Sequence, residues 1–292
     1  MALAGAARAQ VEGVVPTQAL VNVDAKSTPP TDPSVLTVSV DNKKESLSAW
    51  AQVLPVNAQV ALLIDDGLRE SIGREIGNLR SFVGNLTPGI EIMVGYMQNG
   101  HVVEAQPFTT DHTLAATTLH LPDGIPGMSA SPYICLSDLV KKWPASGAHK
   151  ARFAIMITDG VDPYNGSTSV MNQDSPYVKA SIEDAQRAGV AVSAIYFSDA
   201  GITGNEADNS GQSYLAQLTQ ATGGVSYWEG VGNPVSMAPF LKMFQAAIAE
   251  TYVATFNAPL GKDPTRDMVH VNFSAAKVKL HTPNYVRPGN VE

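Results

Sequence analysis

The sequence predicts an α/β fold: a doubly wound, mostly parallel sheet with helices on both faces, plus a small antiparallel β extension from the C-terminal tail. Three observations predict it. Continuous apolar runs of strand length recur at residues 59–65 (QVALLID), 152–158 (RFAIMIT) and 190–197 (VAVSAIYF), and strands buried on both faces read this way. Segments with helical spacing separate these runs. After residue 250 the pattern changes to short alternating strands joined by turns.

The elements follow in order. Residues 11–34 carry Pro16, Pro29, Pro30 and Pro33 among polar residues and are expected to be extended or mobile. Residues 36–40 (LTVSV) alternate with period two and read as a strand. The run 59–65 is the first buried strand. Ile72, Ile76, Leu79, Phe82, Val83 and Leu86 then mark one helical face over 70–86. Residues 90–97 form the next strand, and Asn99-Gly100 turns it into a hairpin with 101–108. Asp111 caps a helix over 112–120. Another helix covers 131–142 and stops before Pro144. The run 152–158 is the second buried strand. Ser175 caps a helix over 176–188, and Gly189 ends it. The third buried strand, a helix over 210–221, a short strand over 224–228 and a helix over 238–250 complete the alternation. In the tail, 251–256, 268–273 and 277–280 read as strands. Residues 36–40 are candidates to pair with them, although no pattern fixes that pairing.

Composition narrows the function. The chain has 292 residues, 44% hydrophobic and 16% charged, too apolar for a disordered chain and long enough for a sizeable core. Its net charge of −8 lacks the basic footprint of a nucleic-acid binder and suits anionic membranes poorly. A single cysteine, Cys135, makes neither an intrachain disulfide nor a cysteine-based zinc cluster. No run of about 18 apolar residues is present, so no membrane span is expected. Residues 1–10 (MALAGAARAQ) end in Ala7-Arg8-Ala9, a pattern that signal peptidase cuts after. They read either as the remnant of a signal peptide or as an alanine-rich tail. The favoured location is extracytoplasmic, periplasmic or secreted.

In open parallel sheets ligands bind at the carboxyl ends of the strands. There this chain places Asp65-Asp66-Gly67-Leu68-Arg69, then Gly127-Met128-Ser129-Ala130-Ser131, then Thr158-Asp159-Gly160-Val161-Asp162. A fourth segment, 198–211, adds Asp199, Asn205, Glu206, Asp208 and Asn209. Carboxylates and hydroxyls therefore gather on one rim.

On these residues the chain resembles a von Willebrand factor type A (vWA) domain over roughly residues 57–250. A strand ending in Asp65, a serine-bearing loop opening a helix at Ser129 and Ser131, and a strand ending in Thr158-Asp159-Gly160 carry the resemblance. The tail from Tyr252 to Pro288, closing in Asn284-Tyr285, is similar to the C-terminal β extension of an acidobacterial vWA-related family of predicted secreted proteins. The resemblance divides the chain into a signal remnant and extended arm (1–34), a strand and linker (35–56), a vWA-like domain (57–250) and a C-terminal β extension (251–292).

Many vWA domains hold a divalent cation at a metal-ion-dependent adhesion site with the pattern D-x-S-x-S, then Thr, then Asp. The resemblance implies Asp65 as the first Asp, Asp159 as the last, and Ser129 or Ser131 in place of the Thr. Gly67 and Arg69 occupy the two serine positions. Glycine offers no side-chain ligand, and a guanidinium repels a cation while pairing with carboxylates itself. Three readings stay open. Arg69 replaces the metal and pairs with Asp65 or Asp159. Alternatively, Mg²⁺ or another divalent cation binds through Asp65, Asp66, Asp159 and a serine hydroxyl. In the third, the carboxylates only cap helices and turns. The reading favours no resident cofactor.

Catalysis has weaker support. Residues 61–68 (ALLIDDGL) and 127–130 (GMSA) resemble the Asp and Ser segments of subtilisin-like proteases. The intervening His101, His112 and His120 lack the family's small-residue context. Asp65-Asp66 is not the Asp-x-Asp of a haloacid-dehalogenase-type phosphotransferase, and no nucleotide-binding glycine motif is present. The residues therefore point to a non-enzymatic, adhesion- or assembly-type module that binds a protein partner. The connection 162–176 is long for a βα loop. It makes Asp162, Tyr164 and Asn165, with Asp66 and Arg69, the expected partner contacts, and Tyr164 the anchor. The alternative is an assembly subunit that makes contacts through its N-terminal arm and C-terminal extension.

Overall fold

The computed structural model describes residues 13–24, 27, 35–124, 131–143, 150–165, 174–198, 205–228, 230, 232–263 and 266–290, with 70 and 205–209 described by their backbone. The chain begins in β structure. Strand β1 (Val14–Val23) is followed by β2 (Leu36–Val40), β3 (Lys43–Glu45) and β4 (Leu47–Gln52). Asp41 and Asn42 both have positive φ (47° and 65°) and close the β2–β3 hairpin in two residues, the geometry that matches strand twist.

A short turn at Pro55–Asn57 leads into the α/β unit. Strand β5 (Ala58–Asp65) runs into a 3₁₀ segment over Asp66–Glu75 and then helix α1 (Ile76–Gly84). The hairpin β6 (Glu91–Gln98) and β7 (His101–Thr109) turns at Asn99 and Gly100, both at positive φ, as predicted. Helices α2 (His112–Thr117) and α3 (Pro132–Lys141), strand β8 (Ala151–Thr158), helix α4 (Pro176–Ala188) and strand β9 (Val190–Tyr196) follow. Helices α5 (Asn205–Thr222) and α6 (Ala238–Ala249) close the unit. The sheet order is β7-β6-β5-β8-β9, with every pairing parallel except the β6–β7 hairpin. The side chains of β5 alternate between two cores. Val60, Leu62 and Ile64 pack with α1 and α6 on one face, and Ala61 and Leu63 pack with α3, α4 and α5 on the other. Burial on both faces is why these strands read as continuous apolar runs.

The chain then returns to the first four strands. Strands β10 (Thr251–Pro259), β11 (Val269–Ala275), β12 (Leu280–His281) and β13 (Tyr285–Val286) complete two four-stranded antiparallel sheets, β12-β1-β10-β4 and β13-β11-β2-β3. These face each other across a core of Ala19, Val21, Val38, Val40, Ala254, Phe256, Val271 and Phe273, as in a β-sandwich. The C-terminal strands are thus half of a sandwich whose other half comes from the N-terminus. Strand β2 does pair with the tail, through β11, from Leu36↔Ala275 to Val40↔Val271.

Several expectations change. Residues 13–24 are extended, yet they are no loose arm: β1 pairs with β10 along nine residues, Val14↔Pro259 to Asn22↔Thr251. The strand escaped notice because Leu20 faces the α/β core while Ala19 and Val21 face the sandwich core. Burial on both sides erases period-two alternation. Pro16 is tolerated because β12 reaches only Asn22 and Val23. The helix expected over 70–86 starts at Ile76, because the chain kinks at Arg69 (φ 50°, ψ −135°). The helix expected over 112–120 ends at Thr117. The strand expected over 224–228 is reduced to one bridge, Ala194↔Ser226. The strand expected over 277–280 is displaced to Leu280–His281.

Phe256 is fully buried between the two sheets and meets the Phe273 ring edge-on at 5.7 Å. Phe256→Ala is expected to cost about 3–5 kcal/mol, read as a lower urea midpoint. A loss below about 1 kcal/mol contradicts a sandwich core at this position.

Candidate functional site

The sheet reverses direction of winding between β5 and β8, and the site lies at their carboxyl ends. Asp65 is the last residue of β5 and is only 5% exposed. One carboxylate oxygen accepts from the Thr158 hydroxyl at 2.5 Å, and the other accepts from the Gly67 backbone N–H at 2.9 Å. Thr158 is the last residue of β8, and its hydroxyl also accepts from the Gly160 N–H at 3.0 Å. One threonine therefore ties the two strand ends together. Burial pushes the Asp65 carboxyl up to about 6, against the lowering effect of its Thr158 and Gly67 donors, and the charge of Asp66 adds to the rise.

The neighbouring acids accept hydrogen bonds from side chains and backbone close to them. Asp66 accepts from Gln98 Nε2 at 3.0 Å. Asp159 accepts from the Val161 N–H at 2.9 Å, which closes the turn after β8. Asp162 is 3% exposed and accepts from Ser175 Oγ at 2.5 Å and the Tyr164 N–H at 3.2 Å. Ser175 in turn caps α4 through Tyr177 N and Val178 N. Asn165 donates to the Asp174 carbonyl at 2.9 Å and to the Tyr214 hydroxyl at 2.8 Å. Both ends of the 162–176 connection are therefore anchored. Tyr164 stands 56% exposed with its ring edge-on to Tyr177, 6.1 Å between centroids.

Arg69 makes no ion pair among the described residues. Its backbone conformation is one that side-chain-bearing residues seldom adopt. Its aliphatic stem packs on Gly124, where a Cβ would lie 2.4 Å from Arg69 Cγ. The bonds on Asp65 come from Thr158 and Gly67, not from Arg69. Ser131 is fully buried at the start of α3 with no hydrogen bond to its hydroxyl among the described residues. Ser129 lies outside the described residues.

Three residues central to the rim escaped the sequence reading. Tyr133 is fully buried and donates to the Gly160 carbonyl at 2.8 Å. Burial first, then Asp159, Asp162, Tyr214 and Asp65, hold its hydroxyl well above the usual phenol range. Gly211 lets α5 approach the turn after β8, since a Cβ there would fall 2.0 Å from the Asp159 carbonyl oxygen. Gln98 ends β6 beside Asp66. Gly211 had a visible signal, a glycine inside a helical segment. Tyr133 and Gln98 had none.

The α/β unit has a vWA/Rossmann-like fold. No protein-family model and no curated protein matches the sequence. Among solved structures, BatB from Bacteroides thetaiotaomicron is 15% identical, covers 65% of this chain and 97% of its own, with a TM-score of 0.44. Manganese-loaded TRAP from Plasmodium vivax is 12% identical over 80% of this chain and 96% of its own (TM-score 0.44). The ArnB paralog VWA2 from Sulfolobus acidocaldarius is 10% identical over 94% of this chain and 76% of its own (TM-score 0.41). The fold assignment rests on strand order and burial, to which likenesses of this degree add nothing.

A divalent cation is what a vWA-type rim implies, and the donors here do not fit a tightly held one. Both Asp65 oxygens already accept hydrogen bonds, and the Thr158 hydroxyl oxygen already accepts from the Gly160 N–H. Gly67 and Arg69 supply no side-chain oxygen, and the described residues contain no group of three or more His, Cys, Asp or Glu arranged around a metal. A hard cation requires about six oxygens.

The Asp65 shift makes a pH prediction. Its folded value of about 6 lies above the ordinary 3.8, so the folded state binds the extra proton between them. Stability attributable to this group is full below pH of about 4 and falls as pH rises to about 6. Asp65→Asn is expected to flatten that fall in thermal melts taken across this window. A steeper fall in the variant refutes a buried, strained carboxylate.

Proposed function

We propose that this chain is a non-enzymatic protein-binding module of the adhesion or assembly type. It presents the upper rim of its vWA-like unit to a protein partner. The observation that carries the reading is the exposed pair of Tyr164, on a connection anchored at both ends, and Tyr177, at the start of α4. An aromatic contact held in place loses little entropy on binding, which makes it a good anchor. Arg69 stands close by in sequence to the rim acids and carries a charge that no described residue neutralises, so it supplies a second contact. Asp66 and Asp162 act behind the surface: both are buried and hold neighbouring backbone and side chains in place.

The histidines argue against hydrolysis. His101 faces Asp138 at 3.2 Å, His112 contacts the Ile90 carbonyl at 2.7 Å, and His120 contacts the Leu121 carbonyl at 2.7 Å. Each is engaged away from Asp65. An extracytoplasmic location is supported by Ala7-Arg8-Ala9. Cys135 is buried and its thiol is pushed up to about 12, chiefly by burial. No helix of the described residues is long and apolar enough to cross a membrane. The degenerate adhesion site is proposed to act without a resident metal, with a weakly held Mg²⁺ as the alternative.

Partner capture from an envelope fraction tests the rim. Tyr164→Ala is expected to weaken capture by about 2 kcal/mol, or roughly thirtyfold, with Arg69→Ala adding to the loss and chelator changing nothing. Undiminished capture by the double variant overturns the rim as the binding surface. A calorimetric Mg²⁺ titration of the same protein is expected to give no dissociation constant below about 1 mM. A tighter one that Asp159→Ala abolishes establishes the metal-bound alternative.

A further inference from the structure

Sheets have edges, and edges offer unpaired N–H and C=O groups. Among the described residues most edges of this protein are blunted. Strand β3 is Lys43-Lys44-Glu45, β7 carries His101, Glu104 and Pro107, and β12 and β13 are two residues long. Strand β9 is uncharged, but its outer side is bonded by Thr222, Val225 and Tyr227. Strand β4 has no such cover among the described residues. It ends the sheet β12-β1-β10-β4 and reads Leu47-Ser48-Ala49-Trp50-Ala51-Gln52, with no charge and no proline.

Its hydrogen-bonding direction follows from the ladder. Val53 N–H bonds the Thr251 carbonyl at 2.9 Å, and Ala51 and Ala49 stand opposite Val253 and Thr255. Antiparallel alternation then turns Ala49 and Ala51 towards β10, and turns the N–H and C=O of Trp50 and Gln52 outwards. Trp50 itself is fixed, its ring stacked on Tyr252 at 4.6 Å. Beside the edge lies a groove of about 230 Å³ lined by Ala49, Ala51, Leu54, Val253 and Thr255. The alanines leave room in it, and Leu54 is 56% exposed.

We propose that β4 is a docking edge for an extended segment of a partner protein, which adds to the sheet as a fifth, antiparallel strand. The segment has large apolar residues at alternate positions and acidic residues at its carboxyl end. Alternate side chains fill the groove while the backbone pairs with Trp50 and Gln52. Every pairing within this sheet is antiparallel, and the added strand continues that pattern. An antiparallel strand runs from Gln52 towards Leu47, and its carboxyl end leaves the edge beside β3. Lys43 and Lys44 are exposed there, four and three residues before Leu47 and beyond the half-buried Glu45, and form no ion pair among the described residues. Acidic residues complement that exit. A second copy of this chain offers at its own β4 only uncharged residues, so it leaves the lysines unanswered.

The test uses the full chain and three fluorescent peptides of alternating threonine and leucine. One ends in three glutamates, one begins with them and one ends in three lysines. Binding is read by anisotropy, and amide hydrogen exchange is followed at Trp50 and Gln52. The peptide ending in glutamates is expected to bind best and to slow exchange at both amides at least tenfold. Lys43→Glu with Lys44→Glu is expected to weaken it about tenfold and to favour the peptide ending in lysines. Equal binding of all three peptides by the wild type, or unchanged exchange at Trp50 and Gln52, overturns the proposal. Slowed exchange without peptide in a dimer also overturns it, in favour of a second copy.

Discussion

The β1–β10 ladder is the constraint on which the rest of the structure depends. It joins residues 14–22 to residues 251–259, so every residue of the α/β unit lies in the loop it closes. Such closure costs chain entropy that grows only slowly with length. The return comes from burial on both faces of β1: Leu20 towards the α/β core, Ala19 and Val21 towards the sandwich. Other contacts reinforce the same joint. Asn22 Nδ2 bonds the Ala247 carbonyl at 2.8 Å, Asn284 N–H bonds the Ala221 carbonyl at 3.0 Å, and Gly289 N–H bonds Thr17 Oγ1 at 3.0 Å.

At the opposite end of the α/β unit the rim is organised by one hydroxyl. Thr158 holds Asp65 across the two strands at the point where the sheet changes direction. Around it Asp66 accepts from Gln98, and Asp159 and Asp162 accept from the backbone of the turns they open. The outer surface left by this arrangement is aromatic, at Tyr164 and Tyr177, as much as acidic.

Legibility in the sequence followed burial pattern. The core strands β5, β8 and β9 were readable because burial on two faces leaves an unbroken apolar run. Asn99-Gly100, Ser175 and Gly189 were readable because each has a local conformational reason to be where it is. Strand β1 was not, because burial on both faces leaves no alternation and its buried Asn22 is satisfied by tertiary partners. Strands β3 and β4 were not, because edge strands need bury little. In the site, Asp65, Asp159 and Ser131 were placed by their position at strand and helix ends. The roles of Tyr133, Gln98 and Gly211 depend on neighbours far away in the chain.

The sequence by itself determined the α/β architecture, the gathering of acids on one rim and the absence of side-chain hydroxyls at Gly67 and Arg69. Each is a local matter of periodicity, strand ends and residue chemistry. Only the tertiary structure decided that the two chain ends form one sandwich. It also decided that Asp65 leans on Thr158 rather than on Arg69, and that β4 is left with an uncharged edge. The physical reason is common to all three. Strand pairing and hydrogen-bond partnership across more than 90 residues, as between Asp65 and Thr158 (93 apart), are set by packing, and no local pattern encodes them.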